Sequence, residues 1–107
     1  MVTIQKYLSQ NRRPFIEQLK SLVRFPSVST QPEHRRDILN CADWLARHFR
    51  TLGLDVNLYP TRGNPILVAR TPVARGPNVP RVLIYGHYDV QPPEPFELWK
   101  TSPFEPV

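Results

Sequence analysis

Proline is distributed unevenly along this 107-residue chain, and that distribution restricts the elements the chain can form. Ten of its 13 prolines stand at or after Pro60. Proline lacks a backbone N–H donor and has a fixed φ angle, so long helices and central strands are disfavoured where it is frequent. The second half of the chain is therefore predicted to contain short strands joined by stiff loops.

Two amphipathic helices are predicted in the first half. Apolar residues recur at helical spacing across residues 3–24. Pro14 interrupts this pattern and is expected either to kink the helix or to start a second segment after a cap at Asn11. The Thr-Gln-Pro-Glu pattern of residues 30–33 has the form of a capping box, in which Thr30 accepts the amide of the fourth residue. The second helix is predicted to start there and to stop at Gly53.

Three strand patterns follow these helices. Residues 54–58 alternate between apolar and polar side chains, which predicts a strand with one wet face. Residues 66–69 and 82–85 are continuous apolar runs, typical of strands covered on both faces. The order predicts an α/β fold, an incomplete three-layer domain in which two N-terminal helices pack on a partial central sheet of about three strands.

Composition narrows the classes of function. The net charge of +5 comes from scattered basic residues without interleaved aromatics, which argues against a nucleic-acid partner. Cys41 is the single cysteine, so an internal disulfide and a cysteine-clustered zinc site are excluded. No apolar stretch reaches the roughly 18 residues of a membrane span, so no membrane partner is expected and a cytoplasmic location is predicted.

A histidine and a carboxylate stand directly after the second apolar run. His87 and Asp89 alternate with Tyr88, so in an extended segment they project to one side and Tyr88 to the other. A neutral imidazole ligates zinc through one nitrogen, and a carboxylate often fixes its other N–H. Such a short pattern also fits an ordinary strand-end histidine that forms a salt bridge with Asp89.

The sequence around this pair resembles a segment found in a known family of enzymes. Residues 86–93 (Gly-His-Tyr-Asp-Val-Gln-Pro-Pro), followed by Trp99 and Phe104, resemble the first metal-binding segment of certain zinc metallopeptidases. That family includes aminoacylase, carboxypeptidase G, succinyl-diaminopimelate desuccinylase and carnosine-type dipeptidases. Residues 22–29 (Leu-Val-Arg-Phe-Pro-Ser-Val-Ser) resemble its N-terminal signature, so the resemblance covers essentially the whole chain.

The resemblance implies roles for both residues of the pair. His87 would ligate one Zn²⁺ of a two-metal site, with Co²⁺ or Mn²⁺ as possible substitutes. Asp89 would be the catalytic residue that steadies the imidazole ring. The substrate implied is a dipeptide or an N-acyl amino acid, and the intact protein is implied to be a homodimer.

The remaining parts of such a site have no counterpart in residues 1–107. The bridging aspartate, the general-base glutamate and the lid or dimerisation domain are expected elsewhere. Residues 1–107 are therefore interpreted as the truncated N-terminal part of a metallopeptidase catalytic domain, inactive alone. The alternative is a non-catalytic remnant or an interaction fragment that pairs through its open sheet edge.

Other polar and aromatic residues are assigned structural roles. The serines lack a histidine or aspartate at a telling spacing and are expected in loops or caps. The cysteine is expected to be an inert core thiol, and the remaining histidines are expected to be surface or boundary residues. The tryptophans are expected to pack. These residues are Ser27, Ser29, His34, Cys41, Trp44, His48 and Trp99.

Overall fold

The computed structural model describes residues 1–72 and 76–107. These residues form two compact units, Met1–Pro26 with Pro93–Val107, and Ser27–Pro92. In chain order the elements are α1 (Ile4–Gln10), α2 (Arg12–Val23), a 3₁₀ helix (Pro32–His34), α3 (Arg35–Thr51), β1 (Asp55–Tyr59), β2 (Ile66–Arg70) and a second 3₁₀ helix (Phe96–Leu98). Within the described ranges, no helix is both long enough and apolar enough to span a bilayer.

The first unit begins with two consecutive helices, and the predicted break between them is confirmed. Thr3 caps α1 by accepting a hydrogen bond from the amide of Lys6. Asn11 separates the helices, and both its backbone N–H and its side-chain amide donate to the carbonyl of Tyr7, at 3.0 and 2.9 Å. Asn11 therefore closes α1, and its side chain makes no capping bond to α2. Pro14 lies in the first turn of α2, where a missing N–H leaves no intrahelical bond unmade.

Residues 93–107 complete the first unit. The indole Nε1 of Trp99 donates a 2.7 Å hydrogen bond to the carbonyl of Pro93. This bond closes the loop that carries the second 3₁₀ helix. About half of the Trp99 side chain remains exposed, so its packing role is only partial.

In the second unit, the cap that precedes the first 3₁₀ helix and α3 differs from the predicted one. The residue that caps the first 3₁₀ helix is Gln31, whose side chain makes no capping bond, so the predicted cap by Thr30 is wrong. The cause is a tighter first turn, in which the amide of His34 donates to the carbonyl of Gln31. His34 Nδ1 instead lies 2.8 Å from an oxygen of Asp37, one turn further along the helix.

The end of α3 confirms the predicted stop at Gly53. Gly53 has a φ of +79°, and its amide donates to the carbonyl of Arg50. The amide of Leu54 reaches back to the carbonyl of Phe49 at 3.3 Å. This pair of bonds is a Schellman motif, which satisfies the last carbonyls of the helix.

The core of the second unit is formed largely by one face of α3, which packs on β1 and β2. The predicted packing of this helix on the sheet is thus confirmed, as is the mixed α/β class. The most deeply buried residues are small or medium-sized, so α3 and the backbone segments that pack on it approach each other closely. They are Ser27, Val28, Ile38, Cys41, Ala42 and Ala46.

The sheet contains two antiparallel strands, β1 and β2, in a register that pairs Asp55 with Arg70 and Tyr59 with Ile66. Alternate residues of β1 are half-buried, so its predicted wet face is confirmed. In β2 the three central residues are half-buried, while Ile66 and Arg70 are exposed. The prediction that β2 is covered on both faces is therefore wrong.

The third strand predicted from residues 82–85 is not formed. These residues have no strand assignment, and their exposed fractions range from 85 to 92%. A strand requires a hydrogen-bonded neighbour, and in the described part of the chain β1 and β2 pair only with each other. The sheet therefore has two strands rather than about three.

Candidate metal-binding segment

The segment that carries the His-Asp pair is joined to the chain just before the first 3₁₀ helix. Val28 and Val90 form an isolated parallel β-bridge. The amide of Val90 donates to the carbonyl of Ser27 at 2.9 Å, and the amide of Ser29 donates to the carbonyl of Val90 at 3.2 Å. Parts of the two sequence signatures, distant along the chain, thus lie side by side.

Tyr88 anchors the middle of this segment at two points. Its phenol donates a 2.6 Å hydrogen bond to the carbonyl of Pro65. Its own carbonyl accepts a 2.7 Å hydrogen bond from the hydroxyl of Ser27, and the thiol of Cys41 lies 4.0 Å from the same oxygen. Tyr88 is half-buried whereas the side chain of His87 is 73% exposed, as alternation in an extended segment predicts.

The imidazole of His87 is oriented by its neighbour two residues on. Nδ1 lies 2.9 Å from the backbone carbonyl oxygen of Asp89 and 3.2 Å from its carboxylate Oδ1. A carbonyl oxygen only accepts hydrogen bonds, so in the neutral ring Nδ1 carries the proton and donates it. Nε2 is then left with a free lone pair on an exposed ring edge.

The arrangement of the two ring nitrogens of His87 is suitable for a single metal ligand. A neutral imidazole with one nitrogen bound to a carboxylate or carbonyl and the other free has the form that zinc ligation requires. Among residues 1–72 and 76–107, no group of three histidine, cysteine or acidic side chains is placed to hold an ion. The structure therefore offers one candidate ligand, not a complete coordination shell.

The other two histidines have different partners. His34 is paired with Asp37 at the start of α3. The ring of His48 stacks on Trp44 with centroids 5.2 Å apart and planes inclined by 4°. Both rings are thus placed by contacts within their own helical region, in keeping with the structural roles predicted for them.

Burial influences the protonation of two groups at the segment, the Cys41 thiol and the Tyr88 phenol. Desolvation raises the pKa of the Cys41 thiol, and a hydrogen bond from Ser27 opposes this shift more weakly. Desolvation also raises the pKa of the Tyr88 phenol, with additional contributions from Cys41 and Asp89. At neutral pH both groups are therefore protonated, and Cys41 has the buried, unreactive character predicted for it.

Spacing along the sequence does not connect Ser27 with the candidate site. A loop or cap role is expected for it, yet only 2% of this residue is exposed and its hydroxyl bonds to the carbonyl between His87 and Asp89. Its position within the signature at residues 22–29 was the available signal. The partner lies 61 positions away, beyond what spacing alone identifies.

A concave surface elsewhere on the second unit does not include the pair. It has a volume of about 280 Å³ and is lined in part by Ser29, Arg35 and Asn64. Neither His87 nor Asp89 lines it. The candidate site is thus identified by its side-chain chemistry and not by a cavity.

Comparison with known proteins relates this chain to hydrolases, although no protein-family model matches it. The cysteinylglycine-S-conjugate dipeptidase of Corynebacterium striatum is 32% identical over 100 residues, covering 92% of this chain and 21% of the relative. The Cys-Gly metallodipeptidase of Candida albicans is 37% identical over 101 residues, covering 84% of this chain and 21% of the relative. The succinyl-diaminopimelate desuccinylase of Bordetella avium is 32% identical over 92 residues, covering 86% and 22%.

The chain therefore spans about a fifth of the length of these curated relatives. By their names, two are dipeptidases, one of them metal-dependent, and the third removes a succinyl group from an amino acid.

Proposed function

Because the chain belongs to the family of metallopeptidases and amidohydrolases that contains these dipeptidases and desuccinylases, we propose that residues 1–107 are the N-terminal part of the catalytic domain of a two-zinc hydrolase. The single observation that carries the proposed site is the geometry of His87. Its Nδ1 is held by Asp89 while its Nε2 is free, and this is the state in which a histidine ligates a metal.

In this proposal His87 and Asp89 have separate tasks. Nε2 of His87 binds one ion of the site, and the carbonyl and carboxylate of Asp89 keep the proton on Nδ1 and fix the plane of the ring. The metal ions, when bound, supply Lewis acidity toward the scissile carbonyl and the attacking water.

The residues of this chain are not sufficient for such a site. A catalytic zinc generally keeps three protein ligands, and the described residues supply one histidine without a suitable cluster around it. The isolated chain is accordingly proposed to bind zinc weakly and to be inactive. The general base and the remaining ligands are proposed to lie outside residues 1–107.

The proposed substrate follows from the relatives' names. Cys-Gly is a dipeptide and succinyl-diaminopimelate is an N-acyl amino acid. The proposed substrate is therefore a dipeptide or an N-acyl amino acid. A homodimeric intact protein in the cytoplasm, without a nucleic-acid partner, remains part of this proposal.

The test is an activity assay on the full-length protein that carries this chain, loaded with Zn²⁺ or Co²⁺ and offered Cys-Gly and N-succinyl amino acids. His87→Ala is expected to lower kcat/KM by at least about 100-fold, because it removes a metal ligand. His34→Ala is the matched control, since it removes the other histidine that is bonded to an aspartate. The kcat/KM of this control variant is expected to stay within a few-fold of the parent value.

Asp89→Ala separates the two contributions of Asp89. The variant loses the carboxylate but keeps the backbone carbonyl, which is the closer partner of Nδ1. A smaller loss than for His87→Ala is therefore expected, about 10- to 100-fold. If His87→Ala and His34→Ala retain equal activity, the proposed site is wrong.

A second candidate function is supported by the exposed apolar run at residues 82–85. An exposed apolar segment without a strand partner can pair with a strand of another chain, so the chain is alternatively an interaction fragment. The nucleotide sequence after codon 107 distinguishes the two. An open frame that continues into further acidic and histidine ligands supports the enzyme, whereas a stop codon there supports the interaction fragment.

A further inference from the structure

The orientation of His87 is set by contacts on its C-terminal side. Residues 82–85, immediately before Gly86 and His87, are 85 to 92% exposed and form no regular structure. Contacts to the body of the second unit begin at Tyr88 and Val90. The position of the His87 ring therefore depends on how the backbone from residue 88 onwards is held.

The hydroxyl of Ser27 acts at the peptide group between the two functional residues. It donates a 2.7 Å hydrogen bond to the carbonyl of Tyr88, which belongs to the peptide unit that leads into Asp89. Rotation of this peptide would move the Asp89 carbonyl, which accepts the N–H of His87, and the Asp89 carboxylate, which lies 3.2 Å from the same nitrogen. Ser27 is thus one hydrogen bond away from the backbone that orients the ring.

The surroundings of Ser27 hold its hydroxyl in one place. Only 2% of the residue is exposed, and its carbonyl accepts the amide of Val90 at 2.9 Å. Val28 is fully buried and bridges Val90. The hydroxyl and the carbonyl of Ser27 therefore hold the segment on both sides of Asp89. The thiol of Cys41 donates to the same Tyr88 carbonyl, but at 4.0 Å its hydrogen bond is long and a thiol is a weak donor, so the hydroxyl at 2.7 Å is the stronger restraint.

We propose that Ser27 is a positioning residue that, through the Tyr88 carbonyl, holds His87 and Asp89 in the arrangement that presents Nε2 to the metal. This inference rests on the proposed function. The competing explanation is a purely structural bond that satisfies a buried carbonyl. That explanation predicts a loss of folding stability, whereas positioning also predicts a loss of metal affinity in a folded protein.

The experiment compares Ser27→Thr with Ser27→Val in the full-length protein that carries this chain. Threonine and valine have the same shape, so a clash in the buried site affects both equally, and only threonine keeps the hydroxyl. Two quantities are measured: Co²⁺ affinity, from the visible absorption of the bound ion, and the thermal unfolding midpoint of the metal-free protein. Positioning predicts that Ser27→Val binds Co²⁺ about tenfold or more weakly than Ser27→Thr at temperatures where both are folded.

Ser27→Ala and Ser29→Ala form a second pair in case both branched variants fail to fold. Ser29 has its amide in the same bridge, but its side chain has no hydrogen bond to another described residue. Weaker Co²⁺ binding by Ser27→Ala alone supports positioning.

His87→Ala is the reference that separates the two proposals. If it lowers Co²⁺ affinity while Ser27→Val and Ser27→Ala match their controls, Ser27 is only structural and the inference is overturned. If His87→Ala binds Co²⁺ like the parent, the proposed metal site itself is wrong.

Discussion

The phenol of Tyr88 donates a 2.6 Å hydrogen bond to the backbone carbonyl of Pro65, which lies immediately before β2. Together with the bond from Ser27 to the Tyr88 carbonyl, it ties the candidate segment to two separate stretches of the second unit. The residue between His87 and Asp89 thus serves as an anchor of the segment that carries them.

Tyr88→Phe is expected to destabilise the isolated chain by about 1 kcal/mol, because the Pro65 carbonyl loses its partner in a partly buried position. Urea unfolding followed by circular dichroism measures the change. Tyr59→Phe is the matched control, since Tyr59 is 48% exposed at the end of β1. The control is expected to change the free energy of unfolding by less than about 0.5 kcal/mol. Equal effects of the two variants would contradict the anchoring role.

The stop of α3 leads to a second prediction. Gly53→Ala is expected to cost about 1 kcal/mol of stability, because a Cβ disfavours the φ of +79°. No atom lies within 4 Å of the added Cβ, so a steric clash makes no contribution. Gly63→Ala is the control, because its Cβ meets only an ordinary contact of 3.8 Å and its φ is not in the left-handed range. If both variants are equally stable, the Schellman end of α3 does not depend on glycine.

Local signals in the sequence were sufficient for the helices and for the first hairpin strand. Gly53 ends α3 as predicted, through interactions within a few residues. Asn11 stands at the predicted break, but its side chain bonds back to α1 and does not make the predicted cap of the second segment. The predicted cap at Thr30 is wrong because the first turn, Pro32–His34, is a 3₁₀ turn whose cap position is Gln31. Sequence patterns do not locate a helix end to within one residue, which is the shift between Thr30 and Gln31.

Long-range structure was less predictable for a physical reason. Residues 82–85 have the composition of a buried strand, but they pair with neither strand of the two-stranded sheet, and local composition does not determine such pairing. The role of Ser27 depends on a carbonyl 61 positions away. By contrast, the contact between His87 and Asp89 is local, and its two-residue spacing was enough to anticipate it.

The raised pKa of Cys41 predicts slow alkylation. The thiolate is the reactive form, and a raised pKa lowers its fraction at any pH below that value. At pH 8 the folded chain is expected to react with iodoacetamide at least about tenfold more slowly than the same chain in urea, where Cys41 is exposed and its pKa is ordinary. The folded-state rate is expected to keep rising with pH beyond the ordinary thiol value of 9.0. Similar rates with and without urea would show that Cys41 is accessible and not part of the core.

The exposed run at residues 82–85 predicts that the isolated chain self-associates. Four consecutive apolar residues, each at least 85% exposed and without strand partners, form an apolar patch whose backbone groups are free to pair with a strand of another chain. Leu83→Lys is expected to raise the concentration at which association begins by several-fold, since lysine on an edge opposes strand pairing. Leu98→Lys makes the same chemical change at a leucine that is 77% exposed outside the run. Sedimentation velocity over a concentration series measures both variants, and association that is equally sensitive to the two substitutions would mean that general hydrophobicity, not this segment, drives it.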